Sequence, residues 1–355
     1  MDIHRLLEAM IKFKASDLHL QADSPPQLRI SGTMTSIDLP SLSAEDVGEL
    51  IRSMSSEEVQ RRIQEDRSAD FSYTIPDMGR FRVNAFFERG RPCAALRIIP
   101  LEVPQLEDLN LPKTVEKLGH VERGLVLVTG TTGSGKSTTL AALVDRMNRH
   151  KRLRIITIED PIEFVHESKK CLIAQRELGG DTHSFANALR VGLRQDPDVI
   201  LVGELRDLET MRIALQAADT GHLVLSTLHT ANATQTIQRL LSMFPADESE
   251  LLIMQLALNL EAVICQRLAK TPDGERIPVV EILTDTPFIK KLIREGRISE
   301  LPEAVGSQDQ GMQLFDQHLI ELYNAKKISG TEAMRLATNP ERVALAMRGI
   351  TPSTG

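Results

Sequence analysis

Residues 130–137 read Gly-Thr-Thr-Gly-Ser-Gly-Lys-Ser, between the apolar run LVLV and the helix-forming run TTLAALVDRM. This GxxxxGK[ST] pattern at a strand-to-helix junction constrains the chain more than any other stretch. Its glycines, at 130, 133 and 135, let the backbone bend so that successive N–H groups converge on phosphate oxygens. The helix that begins next adds the positive end of its dipole to the same point. Lys136 supplies a charge for β and γ phosphates, and the Ser137 hydroxyl can take a place on Mg²⁺. Gly130, Thr131, Thr132, Gly133, Ser134, Gly135, Lys136 and Ser137 are therefore the candidate phosphate-binding residues, and ATP with Mg²⁺ the candidate ligands.

The surrounding pattern agrees with that site. From Gly124 onward the short apolar runs GLVLVTG, RIITIED, DVILVGE and HLVLSTL alternate with helical segments such as SFANALRVGLRQ and DLETMRIALQAA. Strands alternating with helices predict an α/β fold around a mostly parallel sheet. After Ser249, ESELLIMQLALNLEAVICQRLA predicts one long helix, followed by a last strand RIPVVEIL and amphipathic helices from about 286 to 355. The first part has a different texture. Ile3, Leu6, Leu7, Met10 and Ile11 mark an amphipathic helix; PQLRISGTMTSI alternates and turns at Ser31-Gly32 like a hairpin; and 69–99 returns to strand character. That predicts a small α+β domain. Prolines at 100, 104 and 112 stiffen a connection, so the expected boundary separates 1–112 from 113–355.

A nucleotide triphosphatase also needs carboxylates opposite the phosphates. The strand DVILVGE ends in Glu204, although Gly203 stands where an aspartate is usual. Glu204 can polarise an attacking water and serve Mg²⁺, directly or through water. TIEDPIEF adds Glu159, Asp160 and Glu163 at the end of another strand, and the phosphate loop lies at that kind of sheet edge. His222 and His229 bracket the strand LVLSTL and are candidates for γ-phosphate sensing or for a bridge to a neighbouring subunit.

Composition excludes several alternatives. With 42 Lys plus Arg against 49 Asp plus Glu the net charge is −7, and both halves are mildly acidic, unlike a nucleic-acid coat. Aromatic content is 3% without Trp, which leaves few platforms for stacking bases. Cys93, Cys171 and Cys265 are widely spaced without a CxxC pair, so buried free thiols are expected rather than a zinc module or disulfide framework. No run approaches the roughly 18 apolar residues of a membrane span, and the N-terminal stretch lacks a signal-peptide core. A cytoplasmic protein without direct membrane span is expected.

GTTGSGKST, TIEDPIEF, VGELRD and STLHT, in this order and spacing, resemble the secretion-type traffic ATPases, and the chain as a whole resembles the retraction ATPases of type IV pili. ASDLHL, GRFRVNAF, RGLVLVTG, TIEDPIEFVHESKKC and DPDVILVGELRDLET extend that likeness over nearly the full length. The resemblance implies a PAS-like N-terminal domain, a RecA-like P-loop ATPase domain and a homo-hexamer. It implies ATP hydrolysis with Mg²⁺, pilus retraction and twitching motility, and a peripheral position at the inner face of the cytoplasmic membrane beside an inner-membrane platform protein. It adds Thr138 to the phosphate loop. It gives Glu159, Asp160 and Glu163 as the Asp box, Glu204 as Walker B, and His222 and His229 as the His box. It also implies that Arg80, Arg82 and Arg97 of the N-terminal domain approach the γ-phosphate.

Extension and secretion relatives carry an extra N-terminal domain and a four-cysteine insert, whereas only KTPDGER separates QRLA from IPVVEIL here. That favours retraction. PFIKKLIREGR keeps LIRE but replaces the family's AIRN by FIKK, and FPADESE, TPDGERIPVVEIL and GMQLFDQHLIELY resemble the accessory paralogue. An accessory retraction ATPase acting with a paralogous pilus ATPase is the alternative.

Overall fold

A computed structural model describes residues 2–76, 78–99 and 102–350. Its contacts divide the chain into two units: Met1–Glu102 with Glu163–Val165, and Val103–Ile162 with His166–Gly355.

The first unit opens with α1 (Ile3–Lys12), whose N-cap Asp2 accepts from the His4 N–H and whose buried stripe is Ile3, Leu6, Leu7 and Met10. Strands β1 (Asp17–Gln21), β2 (Gln27–Ile30) and β3 (Thr33–Ser36) follow. Ser31 and Gly32 both have positive φ, the backbone a two-residue hairpin needs. Helix α2 (Ala44–Met54) begins with a reciprocal Ser43–Asp46 capping box, and α3 (Glu57–Asp66) with Ser56 as N-cap. Then come β4 (Ser68–Ile75), β5 (Gly79–Glu88) and β6 (Arg91–Ile99). The six strands pair in the order β3-β2-β1-β6-β5-β4, all antiparallel. Alternation on β5 buries Phe81, Val83 and Ala85 and turns Arg80 and Arg82 to the other face.

In the second unit α4 (Lys113–Lys117) precedes β7 (Gly124–Thr129), α5 (Lys136–His150), β8 (Arg154–Glu159) and β9 (Leu172–Glu177). After these run α6 (Phe185–Gly192), β10 (Val199–Val202), α7 (Leu208–Asp219), β11 (Leu223–Leu228), α8 (Ala233–Ser242) and α9 (Ser249–Asn259). The hairpin β12 (Leu260–Lys270) and β13 (Arg276–Thr284) follows. The tail is α10 (Pro287–Arg294), α11 (Leu301–Gly306), α12 (Phe315–Asn324), α13 (Gly330–Leu336) and α14 (Pro340–Met347).

The sheet order is β13-β12-β7-β11-β10-β8-β9, parallel except for the β12–β13 pair. β7 is buried throughout, and its alternate residues feed two cores. Leu125 and Leu127 pack with Ile200, Leu256 and Phe315; Val126 and Val128 pack with Leu143, Val144 and Leu106. A strand covered on both faces reads as a continuous apolar run, which is what GLVLVTG is. Leu106, in the proline-bearing stretch, lies in that second core. The three cysteines are free and buried.

One expected element is corrected. The long helix after Ser249 stops at Asn259, and residues 260–270 form β12. Leu260 through Gln266 are buried almost without interruption, on both sheet faces, between β7 and β13. Such a run has neither a 3.6-residue nor a two-residue rhythm, so periodicity cannot separate a buried strand from a buried helix.

His318 of α12 accepts the Val280 N–H at 3.0 Å and is 4% exposed. Burial, with Lys327 nearby, lowers its pKa from 6.5 to about 4; burial does the same to His166. Both rings favour the neutral form when folded, so their contribution is complete above about pH 6.5 and is lost as pH falls towards 4. The melting temperature should therefore drop between pH 7 and pH 5. In His318→Gln, whose amide oxygen can still accept from Val280, calorimetry should show a smaller drop; an unchanged drop would contradict this source of acid sensitivity.

Candidate functional site

The parallel register aligns four strand ends. Thr129 pairs with Leu228, Ser226 with Val202, and Val202 with Ile158. The residues that leave these strands, Gly130, His229, Gly203-Glu204 and Asp160, therefore share one sheet edge. Hydrogen bonds lock it: Gly130 N–H donates to the Leu228 carbonyl at 3.3 Å, Gly203 N–H to the Ile158 carbonyl at 2.8 Å, and the Thr227 hydroxyl to the Gly203 carbonyl at 2.6 Å.

Two glycines of the phosphate loop leave no room for a side chain. Gly130 has φ +142°, and a Cβ there would lie 2.4 Å from the Gln266 carbonyl oxygen and 2.6 Å from Ser134 Oγ. Gly135 has φ +90°, and a Cβ would meet the Gln266 amide nitrogen at 2.7 Å. Gly135 is also the N-cap of α5. It has no side chain to satisfy the first-turn N–H groups, which are those of Lys136, Ser137 and Thr138. Thr131, Thr132 and Gly133 are exposed, and Lys136 is 8% exposed with Nζ donating to the Gly130 and Thr131 carbonyls at 2.9 and 3.0 Å. Among the described residues Ser134 Oγ is buried without a hydrogen-bond partner. Converging donors, an ammonium held against the loop, and the positive end of a 15-residue helix make a site for an anion such as a triphosphate.

Glu204 carries the opposing charge. One carboxylate oxygen accepts from Arg206 Nε at 2.8 Å and the other lies 3.4 Å from His229 Nε2. The same guanidinium reaches Asp160 Oδ2 at 3.3 Å. The hydrogen bond to Glu204 raises the Arg206 pKa above its ordinary value, so it is always charged. Glu159, next to Asp160, accepts from the Thr157 hydroxyl at 2.7 Å and from the Gln175 amide at 3.2 Å. Gly203 occupies the position where an aspartate is usual. A Cβ there would come within 3.2 Å of the Ile158 carbonyl oxygen and 3.4 Å of the Glu159 Cα, so close strand packing favours glycine.

The remaining candidates come from other elements. His222 is at the opposite end of β11: its carbonyl accepts from Gly124 N–H, at the start of β7, and its Nδ1 is 3.0 Å from the Ala217 carbonyl. Seven residues of strand put it roughly 20 Å from His229, so the two histidines do not form one site within the unit. Arg80, Arg82 and Arg97 share one face of the first unit's sheet, with Arg82 directly opposite Arg97 across β5 and β6. Arg82 faces Asp70 at 3.6 Å, and Arg97 donates to Asp17 at 2.7 Å. Burial pushes the Asp17 carboxyl up, but hydrogen bonds from Arg97 and Ser16 outweigh it and hold it below its usual range. Glu163 is exposed and by its contacts belongs with the first unit.

Two residues at this edge escaped the sequence reading. Arg206 sits inside VGELRD, and a charge following an acid carries no pattern of its own. Gln266 is 3% exposed, accepts the Thr139 hydroxyl at 2.9 Å, and abuts Gly130 and Gly135. Its signal was a lone amide in an apolar run, obscured by reading that run as helix.

Gly130→Ala should lower stability by about 1–3 kcal/mol from φ strain and the carbonyl clash, and should weaken nucleotide binding. Gly180→Ala, with open space around its Cβ, should change neither. Urea unfolding and fluorescent-nucleotide titration of both variants check this; a Gly130→Ala protein as stable and as tightly binding as wild type would contradict it.

Known proteins resemble this chain. The family model described as Type II/IV secretion system protein matches residues 1–294. The chain is 47% identical over 342 residues to the type IV pilus retraction ATPase PilT of Pseudomonas aeruginosa, covering 96% of this chain and 99% of that protein. It is 41% identical over 350 residues to the type IV pilus ATPase PilU of the same organism, covering 98% and 92%. The crystal structure of the pilus retraction motor PilT with bound ADP superposes with a TM-score of 0.91 at 43% identity, over 96% of this chain and 98% of that one. The chain belongs to the Type II/IV secretion system protein family, in which it is similar over nearly its whole length to the pilus retraction ATPases.

Proposed function

We propose that this protein is a motor that hydrolyses ATP to ADP and phosphate to retract type IV pili and so drive twitching motility. The observation that carries the reading is the shared sheet edge of the glycine loop and Glu204 in a chain that matches a retraction ATPase from end to end. In this reading residues 1–112 are a PAS-like domain with its linker and 113–355 a RecA-like ATPase domain with a helical tail. Six copies form a ring at the inner face of the cytoplasmic membrane, next to the platform protein of the pilus. No nucleic acid takes part.

The residues divide the work. Loop N–H groups from Gly130 to Thr138 hold the phosphates, and Lys136 exchanges its two loop carbonyls for phosphate oxygens. Glu204 orients and polarises the attacking water as general base. His229, 3.4 Å from Glu204, reports the γ-phosphate to it. Mg²⁺ suits the hard oxygen donors of Ser137 and Glu204 and neutralises phosphate charge when bound. Arg80, Arg82 and Arg97 carry planar donors suited to phosphate oxygens, and together with Glu163 they complete the proposed machinery.

The accessory reading rests on one observation, the 41% identity over 98% of the chain to PilU. Deleting the gene decides between them. A retraction motor's loss leaves surface pili but abolishes twitching; intact twitching would favour the accessory role.

Purified protein should release phosphate from ATP with Mg²⁺ in a malachite-green assay. Lys136→Ala should abolish turnover, and Glu204→Gln should lower it by about 10²-fold or more while still binding ATP. Undiminished turnover in both would refute the site.

A further inference from the structure

The side chain of Arg206 spans two strand ends. It follows β10 by four residues, and its Nε bonds Glu204 while Nη1 reaches Asp160 beyond β8. Its side chain is 55% exposed, so it is not there for packing. A guanidinium is a rigid planar fork that can hold two carboxylates at fixed separation, which an ammonium cannot.

Glu204 has three rotatable bonds and only 20% side-chain exposure. Arg206 takes one of its oxygens, Oε2. The other, Oε1, is on the side of His229. We propose that Arg206 is a positioning residue for the hydrolysis step: by tying Glu204 Oε2 to Asp160, it directs Oε1 to the attacking water. Asp160 is the far anchor of the clasp and needs no contact with nucleotide. This rests on Glu204 being the water-activating carboxylate.

Arg206→Ala should lower kcat for ATP about tenfold to a hundredfold, the scale of a misplaced catalytic group, with KM within about twofold. Such a pattern marks an interaction used in the transition state rather than in binding. Arg206→Lys should recover part of kcat, because one ammonium can still bond Glu204. Asp160→Asn alone should fall less than Arg206→Ala. The double variant Arg206→Ala/Asp160→Asn should be no slower than Arg206→Ala, since the anchor acts only through the arginine. Should the alanine variant fail to fold, Arg206→Gln gives the same comparison. Unchanged kcat, a raised KM at full kcat, or additive losses in the double variant would overturn the clasp. Glu204→Gln run alongside separates the two levels. If it is inactive while Arg206→Ala is normal, only the clasp fails; if it turns over like wild type, the assignment of Glu204 itself fails.

Discussion

The contact between the Gln266 carbonyl oxygen and the backbone of Gly130 sets the geometry on which the rest depends. With 2.4 Å to a hypothetical Cβ, only glycine lets β12 lie this close to the phosphate loop. β12 can then pair with β7 in parallel while its glutamine side chain bonds Thr139 inside α5. The loop is thus braced from outside, by a strand, as well as from within. Gly135 repeats the device at the helix start, where its φ of +90° directs the chain into α5. The result is a loop shaped in advance, which limits the ordering cost of receiving a triphosphate.

The same hairpin links the loop to the C-terminal helices. Next to Gln266, Arg267 turns to the other face of β12, donates to the Leu336 carbonyl at 2.6 Å, and stacks 3.9 Å from the Phe315 ring. Glu281 of β13 accepts the Ala233 N–H at 2.8 Å, with burial raising its pKa. Helices without chemistry of their own are therefore fastened to the strand that braces the phosphate loop. Across the sheet, the acids are handled differently. Glu204 and Asp160 are held by a charged, half-exposed arginine rather than by backbone, so their arrangement can change at less cost than the loop's.

Much of this was legible in the sequence because each signal had a single local cause. The loop needed glycines at fixed spacing, the central strands needed apolar runs, and the Ser31-Gly32 hairpin needed two positive-φ positions. Arg80 and Arg82 were singled out by the family resemblance rather than by a local pattern; their shared face is a finding of the structure. What was missed depended on pairing between distant segments. β12 looked like a continuation of α9 because burial on both faces erased its rhythm. Gln266 and Arg206 matter through partners 127 and 46 residues away, which no local pattern records. His222 shows the converse: bracketing the interior strand β11 with His229 already sets the two histidines at its opposite ends, so a shared role within the unit was excluded by the sequence itself.

The central claim is that a triphosphate replaces the loop carbonyls as the partner of Lys136. A crystal structure with a non-hydrolysable ATP analogue and Mg²⁺ tests it most directly. The account predicts phosphate oxygens within about 2.7–3.2 Å of Lys136 Nζ and of the first-turn N–H groups of α5, with the terminal phosphate facing Glu204. Analogue bound elsewhere, or Lys136 still on the Gly130 and Thr131 carbonyls with the phosphates turned from Glu204, would contradict it.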